Sequence, residues 1–160
     1  MGTVLKYGIL LGALVEIWTA IVIAAGWHKD PVLLLAFYVV IPLEVVLIVL
    51  ALRGTAAEAT YGKQVLNGTL VSLVAGVIIV FGSVIITTVV FPNYYAEVRA
   101  AGVEMLTKAG KSAEEIEVLM RGSDAFSTPW AQAIQGFIGT VLTGILTALV
   151  AGLFLRKKAA

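Results

Sequence analysis

Four long apolar stretches constrain this sequence more than any other feature. They occupy approximately residues 7–25, 32–52, 68–91 and 131–155. Each is close to the ~20 residues that an α-helix needs to cross ~30 Å of hydrocarbon. Because a lipid-exposed backbone must pair its N–H and C=O groups within its own segment, the stretches are predicted to be helices despite their many β-branched residues. We therefore predict an all-α polytopic membrane protein, with four transmembrane helices in a single membrane domain over residues 1–160.

Charge content and helix signals agree with this class. Only 13% of residues are charged, about half the share of a typical soluble domain. The first stretch is longer than the apolar core of a signal peptide, and we expect it to be retained. Thr128 and Pro129 are predicted as the N-cap and first residue of the fourth helix.

The distribution of basic residues predicts the orientation. The segment after Phe91 holds four basic and six acidic residues, and Lys29 lies on the same side. Short segments on the other side carry the remaining basic residues. Because short cytoplasmic segments are enriched in Lys and Arg, both termini are predicted to be cytoplasmic. The basic residues on that side are Lys6, Arg53, Lys63, Arg156, Lys157 and Lys158.

The segment between the third and fourth stretches, residues 93–122, is predicted to be an extracytoplasmic helical hairpin. Pro92 ends the third helix, and Asn93 is a suitable N-cap for the next. Gly110 is expected to end that helix as a C′ residue. Ser112–Glu115 has the pattern of a capping box for a second short helix, which Gly122 is expected to end. The hairpin is either a stable connector, or a lid or docking surface for an extracytoplasmic partner.

Two glutamates, Glu16 and Glu44, lie near the middle of the first two stretches and form the candidate intramembrane proton or ion site. Counted from the outer ends, both are expected about 15–18 Å deep at 1.5 Å per residue, and so close together. An ionised carboxylate at mid-bilayer costs about 2.5–3.5 kcal/mol. Each glutamate is therefore either a proton or cation site, aided for Glu44 by the carbonyl of Tyr38 that Pro42 leaves free, or a protonated side chain that hydrogen-bonds between helices.

Small residues at four-residue spacing predict close helix packing in lipid. Most of these ladders are expected to pack within the chain, and the ladder of the fourth stretch is our first choice for self-association. The predicted packing residues are Gly8 and Gly12 in the first stretch, and Gly136, Thr140, Gly144, Ala148 and Gly152 in the fourth.

Several segments are similar to one known family. They are LKYGILLGAL, TYGKQVLNGTLVSLVAGVII, FPNYYAEV, KSAEEIE and IGTVLTGILTALVAGLFLRKK. Together they resemble the bacterial four-helix membrane proteins of domain-of-unknown-function family 4199, over nearly the whole chain. The resemblance implies a four-helix protein of the bacterial inner membrane, with a helical segment between spans three and four. It implies no activity.

Several function classes are not expected. The chain has no cysteine and a single histidine, His28, which is expected to be an interfacial residue. We predict no metal, no cofactor and no enzymatic activity, since neither a nucleophile–base pair nor a phosphate-binding loop can be assembled. The net charge of +1 gives no basis for nucleic-acid binding. The lipid bilayer is the predicted partner.

Two functions remain open. The first is a structural or accessory membrane subunit, in a homo-oligomer or a larger complex. The second is a small channel or transporter coupled to protons or cations through Glu16 and Glu44. A polar cavity that reaches the glutamates would favour the second, and dry packing around them would favour the first.

Overall fold

A computed structural model describes residues 2–30 and 32–157 of the chain, and Lys158, one of the basic residues used for the orientation, lies outside them. All regular structure in these ranges is helical. Two 3₁₀ segments cover Trp27–Lys29 and Leu33–Val39, and a π-helical turn covers Ile86–Val90. The described residues hold six α-helices rather than the four of a simple bundle: α1 Gly2–Ala24, α2 Val40–Arg53, α3 Tyr61–Ile85, α4 Tyr94–Lys108, α5 Ala113–Asp124 and α6 Pro129–Phe154.

Four helical segments are long and apolar enough to cross a membrane: Gly2–Ala24, Leu33–Arg53, Tyr61–Val90 and Pro129–Phe154. They coincide with the four predicted stretches, but the first and third begin five to seven residues earlier than predicted. The predicted bounds followed apolarity alone. Helical hydrogen bonding continues through the polar residues at these ends, because no proline or glycine pair interrupts it.

The second span is irregular at its beginning. Pro42 has no N–H to donate to the carbonyl of residue 38, and its ring crowds that carbonyl in a regular α-helix. The preceding residues, Leu33–Val39, are wound more tightly into a 3₁₀ helix, which is a common way to begin an α-helix. Trp18 of α1 donates its indole N–H to the carbonyl of Ala36 at 2.8 Å. This bond ties the irregular segment to the first span.

Helix α3 is the centre of the packing and contacts α1, α2 and α6. It runs parallel to α1, because Gly8 lies against Val74 and Gly12 lies against Ile78. It runs antiparallel to α6, because Gly68 lies against Ala148 and Gly144 lies against Ser72. The shared core contains residues of all four spans: Leu11, Val15, Leu47, Ile48, Ala51, Leu52, Val71, Ala75, Ile79 and Ala148.

The segment between α3 and α6 forms the two helices that its sequence predicts, with two differences. The capping box is confirmed, because Ser112 and Glu115 exchange both bonds, and Gly110 has the expected positive φ of 76°. The side chain of Asn93 makes no capping bond. Helix α5 does not end at Gly122 but continues to Asp124, since glycine only weakens a helix interior.

The beginning of α6 is as predicted. Thr128 accepts a hydrogen bond from the backbone N–H of Ala131, and Pro129 occupies the first turn. Helices α4 and α5 contact each other side by side, since Arg99 reaches Asp124 and Gly102 lies near Met120.

Candidate functional site

Glu16 is buried between α1 and α3, where only 9% of the residue is exposed. The hydroxyl of Ser83 donates to Glu16 Oε1 at 2.9 Å. The carboxyl group lies directly against the α3 backbone, and a Cβ at Gly82 would be 2.7 Å from Glu16 Cδ. Gly82 therefore makes the room that this side chain needs. The second oxygen, Oε2, is buried and has no hydrogen-bond partner among the described residues.

Glu44 is buried more completely than Glu16, with 4% of the residue exposed. Its Oε1 is enclosed and has no hydrogen-bond partner in the described part of the chain. Two contacts locate it along α3. Gln64 donates to the carbonyl of Leu52 at 2.9 Å, and Ile48 lies beside Gly68. Moving four residues back along α2, from Leu52 to Ile48, therefore corresponds to moving four residues forward along α3, from Gln64 to Gly68.

The same register places Glu44 at the level of Ser72, whereas Glu16 lies at the level of Ser83. Eleven residues at 1.5 Å per residue correspond to about 16 Å along α3. The expectation that the two glutamates lie at equal depth is therefore wrong. That expectation requires both spans to be regular helices that start at the same boundary. The 3₁₀ segment before α2, with a rise of about 2.0 Å per residue, is one departure from this and accounts for only part of the difference. Glu16 and Glu44 are two separate buried carboxyl groups.

The small-residue ladders of the first and fourth stretches are both occupied by α3. A Cβ at Gly144 would overlap the Cβ and Oγ of Ser72, and Gly152 lies against Gln64 and Tyr61. Gly136 makes an ordinary contact with Ile79, and Thr140 is half-buried. Gly144, Ala148 and Gly152 of this ladder thus pack against α3 within the chain, and self-association through the ladder stays a prediction.

A polar clamp connects α4 to the loop after α1. His28, only 3% exposed, forms a hydrogen bond from Nε2 to Glu97 Oε2 at 2.7 Å. Lys29 Nζ lies 3.1 Å from Glu97 Oε1. The bonds from His28 and then Lys29 hold the pKa of Glu97 below its ordinary value. His28 is buried because its ring packs against Tyr94 of α4, and its expected place at the membrane interface stays a prediction.

Aromatic and hydroxyl side chains continue from this clamp toward Glu16. The His28 ring lies 5.3 Å from the ring of Tyr94, and Tyr94 lies 4.9 Å from Tyr95 in an edge-on arrangement. Burial raises the pKa of Tyr94 to about 12. The hydroxyl of Tyr95 lies near Thr87, and Thr87 belongs to the π-helical turn. Such turns occur frequently at functional sites.

Thr87 connects these aromatic and hydroxyl side chains to the site of Glu16. Thr87 Oγ1 donates to the carbonyl of Ser83 at 2.7 Å, and Ser83 in turn donates to Glu16. Ring contacts and hydroxyl groups therefore lie between the α4 clamp and the buried carboxyl group. They do not form a continuous hydrogen-bonded chain among the described residues, and a backbone carbonyl carries no proton to pass on.

A second polar network closes the opposite end of the spans around Gln64, which is fully buried. Its Nε2 donates to the carbonyls of Leu52 and Leu155. Thr55 donates to Gln64 Oε1 at 2.8 Å, and Asn67 donates to Thr55 at 3.3 Å. One side chain thus joins the ends of α2, α3 and α6.

The sequence analysis missed His28, Glu97 and Gln64 as connecting residues. His28 and Glu97 are 69 residues apart, and Gln64 and Leu155 are 91 apart, so no local pattern indicates either connection. A polar residue such as Gln64 next to an apolar run was the only signal, and it is shared by many exposed residues. Among residues 2–30 and 32–157, no group of three or more His, Cys, Asp or Glu side chains could hold a metal ion.

The fold and these sites define a class: an all-α protein with four helices able to cross a membrane, two of which bury a carboxyl group. The comparison with known families agrees with this class. Residues 6–157 match DUF4199, a family of proteins of unknown function, and the chain belongs to that family. No curated protein and no solved structure matches the chain.

Proposed function

We propose that the protein is a structural or accessory subunit of the bacterial inner membrane, which assembles with copies of itself or with a larger membrane complex. The observation that carries this proposal is the dry packing of the two carboxyl groups. Glu16 Oε2 and Glu44 Oε1 are enclosed by protein atoms, and an open channel would instead expose such groups to water.

The proposed topology has both termini in the cytoplasm and α4–α5 as a helical hairpin on the outer face. It is supported by the density of Lys and Arg in the short segments at the other ends of the spans. The clamp of Glu97 to His28 and Lys29 holds α4 on the span ends. A hairpin held in this way is a surface of fixed orientation for a partner.

Because α3 already contacts the small-residue ladders of α1 and α6, the proposed assembly uses other surfaces of the spans. Large apolar side chains project from the outer faces of the spans, among them Ile17, Phe81 and Leu146, which are 55%, 59% and 63% exposed. In a bilayer these faces contact lipid or another membrane protein. Assembly through them needs no change in the internal packing.

In-membrane photo-crosslinking tests the proposal. A photoreactive amino acid is placed at Ile17, Phe81 or Leu146, with buried Ile48 as the matched control. The expected result is a discrete crosslinked product from at least one exposed position and none from Ile48. Crosslinking to lipid alone at every exposed position, together with a monomeric native mass, would contradict a subunit role.

A second candidate function, a proton- or cation-coupled channel or transporter, is favoured by one observation. Buried polar atoms are almost always hydrogen-bonded, yet each of the two glutamates keeps an oxygen without a partner among the described residues. Proteoliposomes that contain the purified protein test this candidate. Proton or cation flux that Glu16→Gln or Glu44→Gln abolishes would support it, and absence of flux above that of empty liposomes would refute it.

A further inference from the structure

A groove of about 580 Å³ runs between α4 and α5, within the 300–1,000 Å³ of many ligand sites. Most of its lining is apolar, and Gly102 forms part of its floor. Two of the lining residues, Met105 and Met120, have flexible side chains that adapt to irregular ligands. The apolar lining includes Val98, Met105, Leu106, Leu119 and Met120.

One end of this groove is polar and carries both signs of charge. Arg99 Nε lies 3.3 and 3.4 Å from the two carboxylate oxygens of Asp124, with Ser123 and Ser127 beside them. This ion pair is longer than the other ion pairs of α4 and α5, which measure 2.5–3.1 Å. Arginine has five N–H donors, and Asp124 uses only Nε, so the other guanidinium donors face no partner among the described residues.

Most other charged side chains of the α4–α5 segment are paired with each other. Glu104 pairs with Lys108, Lys111 with Glu115, and Arg121 with Glu117. The groove therefore combines an apolar body with one end that holds an anion-binding and a cation-binding group side by side. A zwitterionic phospholipid has the same arrangement, with acyl chains below a phosphate and an ammonium group.

We propose that the α4–α5 groove binds one acyl chain of a zwitterionic phospholipid, whose phosphate contacts Arg99 and whose ammonium group contacts Asp124. The groove lies close to a supply of such lipids. Only three residues separate α4 from the π-helical turn that ends the third span, and four separate α5 from α6. Exposed Phe126 follows Asp124 by two residues, and exposed Trp130 lies in the first turn of α6; they are 67% and 55% accessible.

The proposal is independent of the proposed function, because it is tested on the purified full chain without any partner. The probe is phosphatidylethanolamine with a photoreactive acyl chain, added to delipidated protein in detergent. Labelled peptides are located by mass spectrometry. We expect saturable labelling on residues 94–127, with competition by unlabelled phosphatidylethanolamine and at least fivefold weaker competition by phosphatidylglycerol.

Two glycines on these helices provide a matched pair of variants. A Cβ at Gly102 meets the flexible side chain of Met120 only at 3.5 Å, an ordinary contact, and Gly102 lines the groove, so the side chain of Gly102→Leu is expected to fill the groove. A Cβ at Gly122 meets nothing within 4 Å, so Gly122→Leu makes the same change outside the groove. Labelling should fall at least fivefold in Gly102→Leu and remain unchanged in Gly122→Leu.

A second variant tests the head-group contacts without changing the groove. Arg99→Gln with Asp124→Asn is expected to remove the preference for phosphatidylethanolamine over phosphatidylglycerol. Circular dichroism confirms that each variant is folded. Labelling that is not saturable, or equal in both glycine variants, would mean that the groove only rests on bulk lipid and would overturn the proposal. Crosslinking of this groove to protein in native membranes, with no lipid labelling, would overturn it as well.

Discussion

The contact between Gly68 and Ala148 gives the most direct test of how α3 and α6 pack. A Cβ at Gly68 would overlap the Cβ of Ala148, but would lie 3.5 Å from its Cα and from Ile48 Cγ2. Gly68→Ala thus places two methyl groups in the space of one. Removing the other methyl group, by Ala148→Gly, restores the space without a new clash.

The expected energies follow from this geometry. Overpacking a well-packed interior costs about 1–3 kcal/mol, and alanine in place of glycine returns about 0.5–1 kcal/mol of helix stability. A Cβ added at Gly139 of α6 would meet nothing within 4 Å, so Gly139→Ala measures the helix contribution alone. Gly68→Ala should therefore be about 1–3 kcal/mol less stable than Gly139→Ala. The double variant should recover most of that loss, which is within the range of coupling energies for residues in contact.

Reversible unfolding in mixed detergent and sodium dodecyl sulfate micelles, followed by circular dichroism, measures these free energies. Native mass spectrometry of the same samples reports any oligomer. If Gly68→Ala is as stable as Gly139→Ala, or if the effects of Gly68→Ala and Ala148→Gly simply add, the α3–α6 register is wrong. A loss of oligomer with unchanged unfolding would return the ladder to an interface between chains.

Three further predictions concern the polar contacts. The pKa of Glu97 is lowered in the folded protein. Its clamp to His28 is therefore complete above the ordinary pKa of about 4.3 and is lost as the pH falls through the folded-state pKa. Hydrogen exchange of α4 should increase at acid pH, and Glu97→Gln should show this increase already at neutral pH. Gln64→Leu leaves the carbonyl of Leu155 without its side-chain donor and should destabilise the protein by about 1–3 kcal/mol, with faster hydrogen exchange at the end of α6. Unchanged exchange there would contradict the network. Ser83→Ala should destabilise by a similar amount by removing the donor to Glu16, whereas Glu16→Gln should be nearly silent in unfolding assays; equal losses in both variants would refute a packing role for this bond.

The spans were predictable because their signal is contained in each segment. A run of about 20 apolar residues is sufficient to indicate a helix in lipid, and the short capping pattern at Ser112 indicated α5 in the same way. The ends of α1 and α3 were not predictable from apolarity, since polar residues such as Gln64 continue the helix. What holds Gln64 in the core is a carbonyl from another span, which no local pattern contains.

The burial of the two glutamates was predictable from the sequence, but their relative position was not. Glu16 and Glu44 stood out because carboxylates are rare in apolar runs, and both are buried. Their separation depends on the register of α2 on α3. Counting residues from the outer end of each span ignores both this register and the 3₁₀ segment before Pro42. The clamp of His28 on Glu97 depends on contacts between distant segments in the same way.

The two buried carboxyl groups differ in how well packing accounts for them. Glu16 has a hydroxyl donor and a glycine that makes room for it, so hydrogen bonding between helices is a sufficient reason for its presence. Glu44 Oε1 has no partner among the described residues, and a leucine of similar size would fill the same space without an unpaired polar atom. Since an unpaired buried polar group costs about 1–3 kcal/mol, packing alone gives no reason to keep a carboxyl group there. The case for a proton or cation site in the membrane therefore depends on Glu44 more than on Glu16.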